Sequence, residues 1–558
     1  MDFNHVLEKC GNFGRYQWML LLLYGCTNIL SSMHYFSQTL ISFTPEHWCY
    51  HPQLANKSFE DIDKIYKQFK RPHCTLLEKF DDESGIATPA EGSECREWFY
   101  RRQDGYESIT TELNWVCDDA FRNAVGQSFY FLGAVVGTIS FGALADRIGR
   151  LPAVLLSTFT GGLGDFITAF VGNVTFYAIS RFISGLSTDT FYMLMYILVF
   201  EYLSPKKRTL GLNIVPTIFY CTGLMLSPWF ALWVQTWRKY LFVASVPVLL
   251  VFAYPLLACE SANWLLTRKK YDRAVKCLKR VAKFNGRQVE EKVFEDFVEF
   301  YKKKIEVEDE KLKNSNDTFW GMFKTPRLRK FTIILLVKSV IITMAFDIIS
   351  RNMEGMGSSP FKLFSYTAIC YVPGGLTIIA FQNIVGRKGM ASLSLLVGGI
   401  ITAVTGFLVA FMDAKSHALL LGIMVGLGRY GVVVAYDAEV QYCTEIIPTS
   451  VRGRGVANIH VLGYACSFLN SYVLYLATFY RPLPALFISI IMLIGAALCL
   501  LLPETLNKKL PETLSDGELF GLDEKWYYFP CWSRTRKNSN VSKQISNIQQ
   551  MDKEKTYF

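Results

Sequence analysis

Along the chain, apolar residues gather in long blocks separated by short polar connections, many of them basic. Each block is about 20 residues long, the length an α-helix needs to cross the hydrocarbon core of a bilayer. Twelve can be placed, over 17–40, 123–143, 153–172, 175–199, 210–233, 239–257, 331–352, 362–382, 390–412, 417–440, 454–477 and 483–502. A polar stretch, 42–121, follows the first block. Another, 258–330, separates the sixth from the seventh. In the latter, "YDRAVKCLKRVAKF" and "VEEKVFEDFVEFYKKKI" repeat apolar residues at three and four, the period of an amphipathic helix. The pattern predicts an all-α membrane protein with twelve transmembrane helices. Its parts are a six-helix half over 1–257 that includes the 42–121 loop, a helical linker over 258–330, a second half over 331–506, and a disordered tail over 507–558.

Composition narrows the class. The 558 residues are 51% hydrophobic and 19% charged, against about 25% charge in a soluble domain. That excludes disorder as the dominant state, because so much apolar surface requires burial. The run from Tyr16 to Ile41 is too long for the core of a signal peptide and reads as a first span that stays. The net charge of +10 does not point to nucleic acid, because no basic run is interleaved with aromatics outside the apolar blocks. The charges are instead sorted by segment. Residues 42–121 hold 9 Lys/Arg against 16 Asp/Glu, and 258–330 hold 19 against 12. Short connections such as Lys206-Lys207-Arg208 are basic too. Positive loops stay cytoplasmic, which puts both termini and 258–330 inside and 42–121 outside, in a multi-pass protein of the plasma membrane.

Of the 14 cysteines, Cys49, Cys74, Cys95 and Cys117 fall in the outer loop. Four cysteines there read as two disulfides with three possible pairings. Zinc fits poorly, because no CxxC spacing exists. Asn56-Lys57-Ser58 is a glycosylation sequon in the same loop. The sequons at Asn173, Asn316 and Asn540 lie too near the membrane or inside. No P-loop, HExxH or GxSxG occurs, so no enzyme class, metal or cofactor is indicated. Small residues in "FLGAVVGTISFG" and "GGLGDF" let helices approach closely, and Pro216, Pro228, Pro247, Pro255 and Pro373 can kink theirs. Two halves with a cytoplasmic linker fit a rocking transporter better than a pore.

The second and third blocks are joined by "GALADRIGR", Gly142 to Arg150, and the eighth and ninth by "QNIVGRKG", Gln382 to Gly389. The first resembles the signature loop of the major facilitator superfamily, G-x-L-x-D-R-x-G-R followed by a base, with Leu151 in the base's place. The second keeps Gly386, Arg387 and Lys388 but lacks the acid. "RFISG" (Arg181 to Gly185), Glu201 with Arg208, Glu445 with Arg452, and "LLPETLNKKLPET" (Leu501 to Thr513) add to the likeness. With the four-cysteine loop, they make residues 1–520 resemble the organic cation, organic anion and carnitine transporters of that superfamily, insect carriers of β-alanine and carcinine among them. "CESANWLL", Cys259 to Leu266, departs from the family's P-E-S-P-R-W-L. The resemblance implies the major facilitator fold. It also implies a cytoplasmic gate of Asp146, Arg147, Arg150, Glu201, Arg208, Arg387, Glu445 and Arg452.

Ionisable residues at bilayer depth default to functional hypotheses. The blocks contain His34, Asp165, Asp189, Lys338, Asp347, Arg351, Asp437, Glu439 and His460. Asp165 and Arg351 fall near span ends, where they can face water, and Lys338 can snorkel. Asp189, Asp347 and Asp437 lie deeper. By resemblance, the substrate pocket takes Tyr35, Asp189, Tyr192, Phe346, Asp347, Asp437 and Tyr464. Tyr464 replaces the charge that distinguishes cation from anion carriers, and Tyr371 replaces an acid before Pro373. Carboxylates among aromatic rings suit an ammonium group. The expected substrate is therefore a small organic amine or zwitterion, moved by alternating access with H⁺ or Na⁺ as possible coupling ion. An organic anion carrier and a transporter-like receptor without transport are the alternatives.

Overall fold

The computed structural model describes residues 3–530 except 12, 70–72, 81–86, 91–94, 189, 204–210, 212–214, 315–318, 355, 509, 523 and 525–527. Asp189 and Arg208 thus lie outside the described residues. Helices of spanning length follow the twelve apolar blocks: Arg15–Ile41, Phe121–Ile148, Arg150–Thr168, Val174–Tyr202, Val215–Val234, Trp237–Leu257, Pro326–Arg351, Pro360–Val385, Arg387–Phe411, Ala418–Ile446, Arg452–Thr478 and Leu483–Leu500, here spans 1 to 12. Eleven are long and apolar enough to cross a membrane. Span 1 has the length, 27 residues, but is more polar, and it buries Gln17, Thr27, Asn28, Ser31, Ser32, Ser37 and Gln38. Some hydroxyl and amide groups there find helix carbonyls one turn back, as Thr27 does at Leu23 and Asn28 at Tyr24, which offsets the cost of burying them.

Several spans are not continuous helices. Span 4 leaves the regular helix after Gly185 for turns over residues 186–188, and span 6 tightens to a 3-10 helix over Val246–Ala253, with Pro247 as its second residue. Spans 2 and 4 meet backbone to backbone. A Cβ on Gly133 would stand 2.2 Å from the Phe182 carbonyl oxygen, and one on Gly185 would stand 2.0 Å from that of Tyr130. Only glycine permits this approach.

The chain divides into two compact units. The first holds Met1–Val307 with Met353–Ala368 and Phe468–Tyr480, and the second holds Glu308–Asn352, Ile369–Ser467 and Arg481–Phe558. In the first unit the 42–121 loop is a small folded body. His47–Cys49 pairs antiparallel with Trp98–Tyr100, and Leu77–Phe80 with Ala87–Pro89. Helix Phe59–Tyr66 is capped by Ser58. Trp48, Leu54, Ile62 and Tyr66 form the core of this body. Its disulfides are Cys49–Cys95 and Cys74–Cys117, one of the three pairings open from sequence. Glu112 ties the loop to span 6, accepting from Trp237 Nε1 at 2.6 Å and from Arg238 Nη2 at 2.7 Å. Asn56 is exposed. The loop also holds part of the second half: Phe43 and Tyr106 pack on Phe361, with ring centroids 5.1 and 4.9 Å apart.

The linker carries helices Ala262–Thr267, Tyr271–Phe284 and Glu291–Asn314. The tail is corrected in its first part. Residues Leu514–Leu519 form a helix capped by Thr513, and Glu518 accepts the backbone N–H groups of Arg327 and Leu328 at 3.0 and 2.8 Å. This carboxylate at the N-terminus of span 7 satisfies donors that no helix bond can reach.

Candidate functional site

In the first unit, the fully buried Arg181 of span 4 lies 4.7 Å from the Tyr130 ring of span 2 and donates to Asp165 Oδ1 at 2.9 Å. Asp165 also accepts from Ser184 Oγ at 2.7 Å and meets His34 Nδ1 of span 1 at 2.7 Å. Asp165 was expected near water at a span end. It is instead buried, because spans 1, 3 and 4 converge there with a cation to balance it. Tyr35 is buried against Phe36 and Phe131, and Tyr192 stacks on Tyr24 at 5.9 Å.

In the second unit, Phe346 of span 7 stands between Tyr371 of span 8, at 5.9 Å, and Tyr436 of span 10, at 5.1 Å. Arg429 of span 10, only 1% exposed, lies 5.3 Å from the Tyr371 ring. Asp347, expected from the sequence as an amine ligand, already has a cation beside it. Asp347 is wholly buried and ion-paired with Arg351 one turn along the same helix. Arg351 accordingly does not face water. Lys338 does not snorkel, being wholly buried and ion-paired with Glu439. Lys338 Nζ also lies 4.5 Å from the Tyr442 ring. Asp437 differs from these acids. It is exposed at the surface of the chain and makes no hydrogen bond or ion pair with a described residue, while its charge and that of Arg429 both act on the Tyr371 hydroxyl. Tyr464 is buried, and His460 is half-buried.

Of the expected gate residues, Asp146, Arg147, Arg150 and Arg387 fall at turns of matching construction. Gly149, with φ 115°, separates spans 2 and 3, and Gly386, with φ 93°, separates spans 8 and 9. Arg150 pairs with Asp146 at 2.6 Å on its own turn, and Asp146's carbonyl accepts Trp264 Nε1 at 2.9 Å. Arg147 is exposed, and Glu201 accepts from Ser261. Glu445 pairs with Arg387, at 3.4 Å, rather than with Arg452, whose Nε donates to the Ile447 carbonyl at 3.2 Å. Glu260 accepts the backbone N–H of Arg150 at 2.9 Å and that of Leu151 at 3.2 Å. Glu504 accepts those of Arg387 and Lys388 at 2.9 and 3.3 Å. Burial pushes the Glu260 carboxyl above its ordinary value, and the N–H groups that favour the anion oppose it.

Sequence reading missed four residues: Glu260, Glu504, Arg181 and Arg429. The first two had a signal, the repeated Glu-Ser and Glu-Thr just after spans 6 and 12. Arg181 was visible only as part of "RFISG". Among the described residues, the single cluster of metal-ligating types is His47, Cys74 and Cys117. Its two cysteines are joined to each other and offer no thiolate.

The chain is 26% identical to an organic cation transporter-like protein of Drosophila melanogaster over 539 residues, 94% of each chain. It is 25% identical to a beta-alanine transporter of the same organism, covering 97% of this chain and 93% of that one. A carcinine transporter, also from Drosophila melanogaster, is 26% identical over 98% and 83%. Among solved structures, the xylose transporter XylE from E. coli in an inward-open conformation aligns over 90% of this chain and 100% of its own, with a TM-score of 0.57 at 13% identity. That likeness shows the major facilitator fold. Residues 86–515 match the family of sugar (and other) transporters, and with that share of its length matched, the chain belongs to this family of membrane transporters.

Proposed function

We propose that the protein is a plasma-membrane carrier that moves small organic amines or zwitterions by alternating access, with both termini cytoplasmic and either a proton or Na⁺ as coupling ion. The observation that carries the amine reading is Asp437. Of the acids described at span depth, Asp165, Asp347 and Glu439 are ion-paired, and Asp437 is not. A carboxylate left without a cation at span depth attracts one from outside. Phe346, Tyr371 and Tyr436 supply ring faces nearby, each worth about 0.5–2 kcal/mol to a bound ammonium. Tyr35, Tyr192 and Tyr464 are likewise proposed as substrate-binding residues. The relatives named as carriers of organic cations, β-alanine and carcinine support the substrate class. The turns at Gly149 and Gly386 are proposed as the gate.

The test is uptake of radiolabelled β-alanine, carcinine, carnitine, choline, tetraethylammonium and para-aminohippurate by cells expressing the chain, with and without sodium. Saturable uptake of an amine or zwitterion is expected. Selective uptake of para-aminohippurate would favour the organic anion reading. Binding without accumulation or exchange would favour a receptor.

A further inference from the structure

The ring of His34 is held at both nitrogens by atoms that accept hydrogen bonds. Nδ1 lies 2.7 Å from Asp165 Oδ2, and Nε2 lies 3.1 Å from the Ser184 carbonyl oxygen and 3.1 Å from Ser187 Oγ. A carboxylate and a carbonyl accept only, so both contacts are satisfied together when both ring nitrogens carry hydrogen, which is the imidazolium form. Charge balance pulls the other way. Asp165 and Arg181 already cancel, and a protonated His34 adds one positive charge to a buried cluster. The Ser187 hydroxyl can serve either state. It donates to the Ser184 carbonyl at 3.1 Å when Nε2 carries a proton, and turns to donate to Nε2 when it does not. Geometry and charge thus oppose each other at one atom, Nε2.

Among the described residues, the groups facing this ring are few. Span 2 brings Tyr130, whose ring centroid is 5.7 Å away. Span 3 brings Asp165. Span 4 brings Arg181, Ser184, Ser187 and Phe191. Span 6 brings apolar Ala244 and Val248, with the Tyr240 hydroxyl acting on Asp165 and Arg181. Beside the ring is a cavity of about 20 Å³, edged by His34, Ser37, Asp165 and Ser187. That is room for one water, and such a water could pass a proton to Nε2. The regular helix of span 4 ends at this point, after Gly185, with turns over residues 186–188. Discontinuous helices commonly mark ion sites in carriers.

We propose that His34 is a proton-binding site within the N-terminal half, taking up one proton at Nε2 and releasing it during the transport cycle. The inference rests on the carrier reading for its role, but the site itself can be tested without transport.

The first experiment titrates detergent-purified protein between about pH 5 and about pH 9 with a pH dye. Wild type should release about one proton per chain more than His34→Gln. Equal release by the two would overturn the proposal. Ser187→Ala removes the hydroxyl that serves Nε2, so the midpoint of proton release should shift. An unmoved midpoint would also overturn it, and this variant decides the matter if His34→Gln fails to fold.

The second experiment measures radiolabelled carcinine in proteoliposomes. With one proton coupled per carcinine, an imposed pH gradient should change the wild-type equilibrium accumulation ratio by about tenfold per pH unit. His34→Gln should lose that response but keep exchange at equal pH. A full gradient response in His34→Gln, or uptake driven by sodium alone, would overturn the coupling role. Absence of any exchange of carcinine or of the other panel amines by wild type would count against the carrier reading instead, while the titration still decides whether His34 binds the proton.

Discussion

Glu504 receives the backbone N–H of Arg387 at 2.9 Å, and Glu260 receives that of Arg150 at the same distance. Each carboxylate follows the last span of its half and sits at the N-terminus of that half's third span, where unsatisfied N–H groups and the helix dipole favour negative charge. The neighbouring glycines leave it room. A Cβ on Gly149 would stand 2.2 Å from Glu260 Oε2, and one on Gly386 would stand 2.3 Å from Glu504 Oε2.

The first prediction follows from this repeat. Glu260→Gln and Glu504→Gln should each lower stability by about 1–2 kcal/mol and reduce maximal uptake more than apparent affinity. Gly149→Ala and Gly386→Ala should do worse, because they add a positive-φ penalty to the clash. Surface biotinylation with uptake kinetics checks this. A pure affinity change would contradict it.

Asp437 and Asp347 should behave differently although both are acids at span depth. Asp437→Asn should raise the apparent KM for an amine by about tenfold or more, one lost charge contact, with surface expression intact. Asp347→Asn strands the buried Arg351 and should cost about 3–5 kcal/mol. It should appear as poor folding. Thermal melting of the purified variants separates the two, and a normal KM for Asp437→Asn would remove that residue from the pocket.

The contrast between these acids shows what could be read in advance. Span positions were legible to within a few residues at most ends, because bilayer thickness imposes a length that apolar blocks must match. Asp347 and Arg351 stand four apart on one helix, so their pairing was visible as spacing. Lys338 and Glu439 are a hundred residues apart, and nothing local joins them. Arg181 and Arg429 are legible only with the fold. Each is set against a tyrosine of a neighbouring span, Tyr130 in one half and Tyr371 in the other, and only the repeat of the architecture makes them counterparts.

The loop should be acid-sensitive through His47. Burial, reinforced by the neighbouring His73, pulls its imidazole down to about 4, against the hydrogen bond with the Pro45 carbonyl. In the unfolded chain this group binds its proton near an ordinary 6.5. Between those values the unfolded state holds more protons, so stability is full above the unfolded pKa and is lost as pH falls toward the folded one. The loss reaches at most about 3 kcal/mol. His47→Gln should flatten this decline. Protease resistance of the loop at neutral and acid pH measures it, and equal sensitivity in the variant would assign the effect elsewhere.

Lys338 and Glu439 allow a sharper test of whether a buried ion pair stabilises or merely balances. Each partner is wholly or nearly wholly buried, and the Tyr442 ring adds a cation–π contact to the lysine. Lys338→Met leaves an uncompensated carboxylate and Glu439→Gln an uncompensated ammonium, so either alone should cost about 3–5 kcal/mol. The double variant removes both charges from a site already screened from water. It should recover most of that loss, giving a coupling of opposite sign to the single effects. Melting temperatures of the four proteins complete the cycle. Additive losses would mean the two side chains are held independently. Recovery of stability without recovery of uptake would mean that the pair, although structural in energy, must break during the transport cycle.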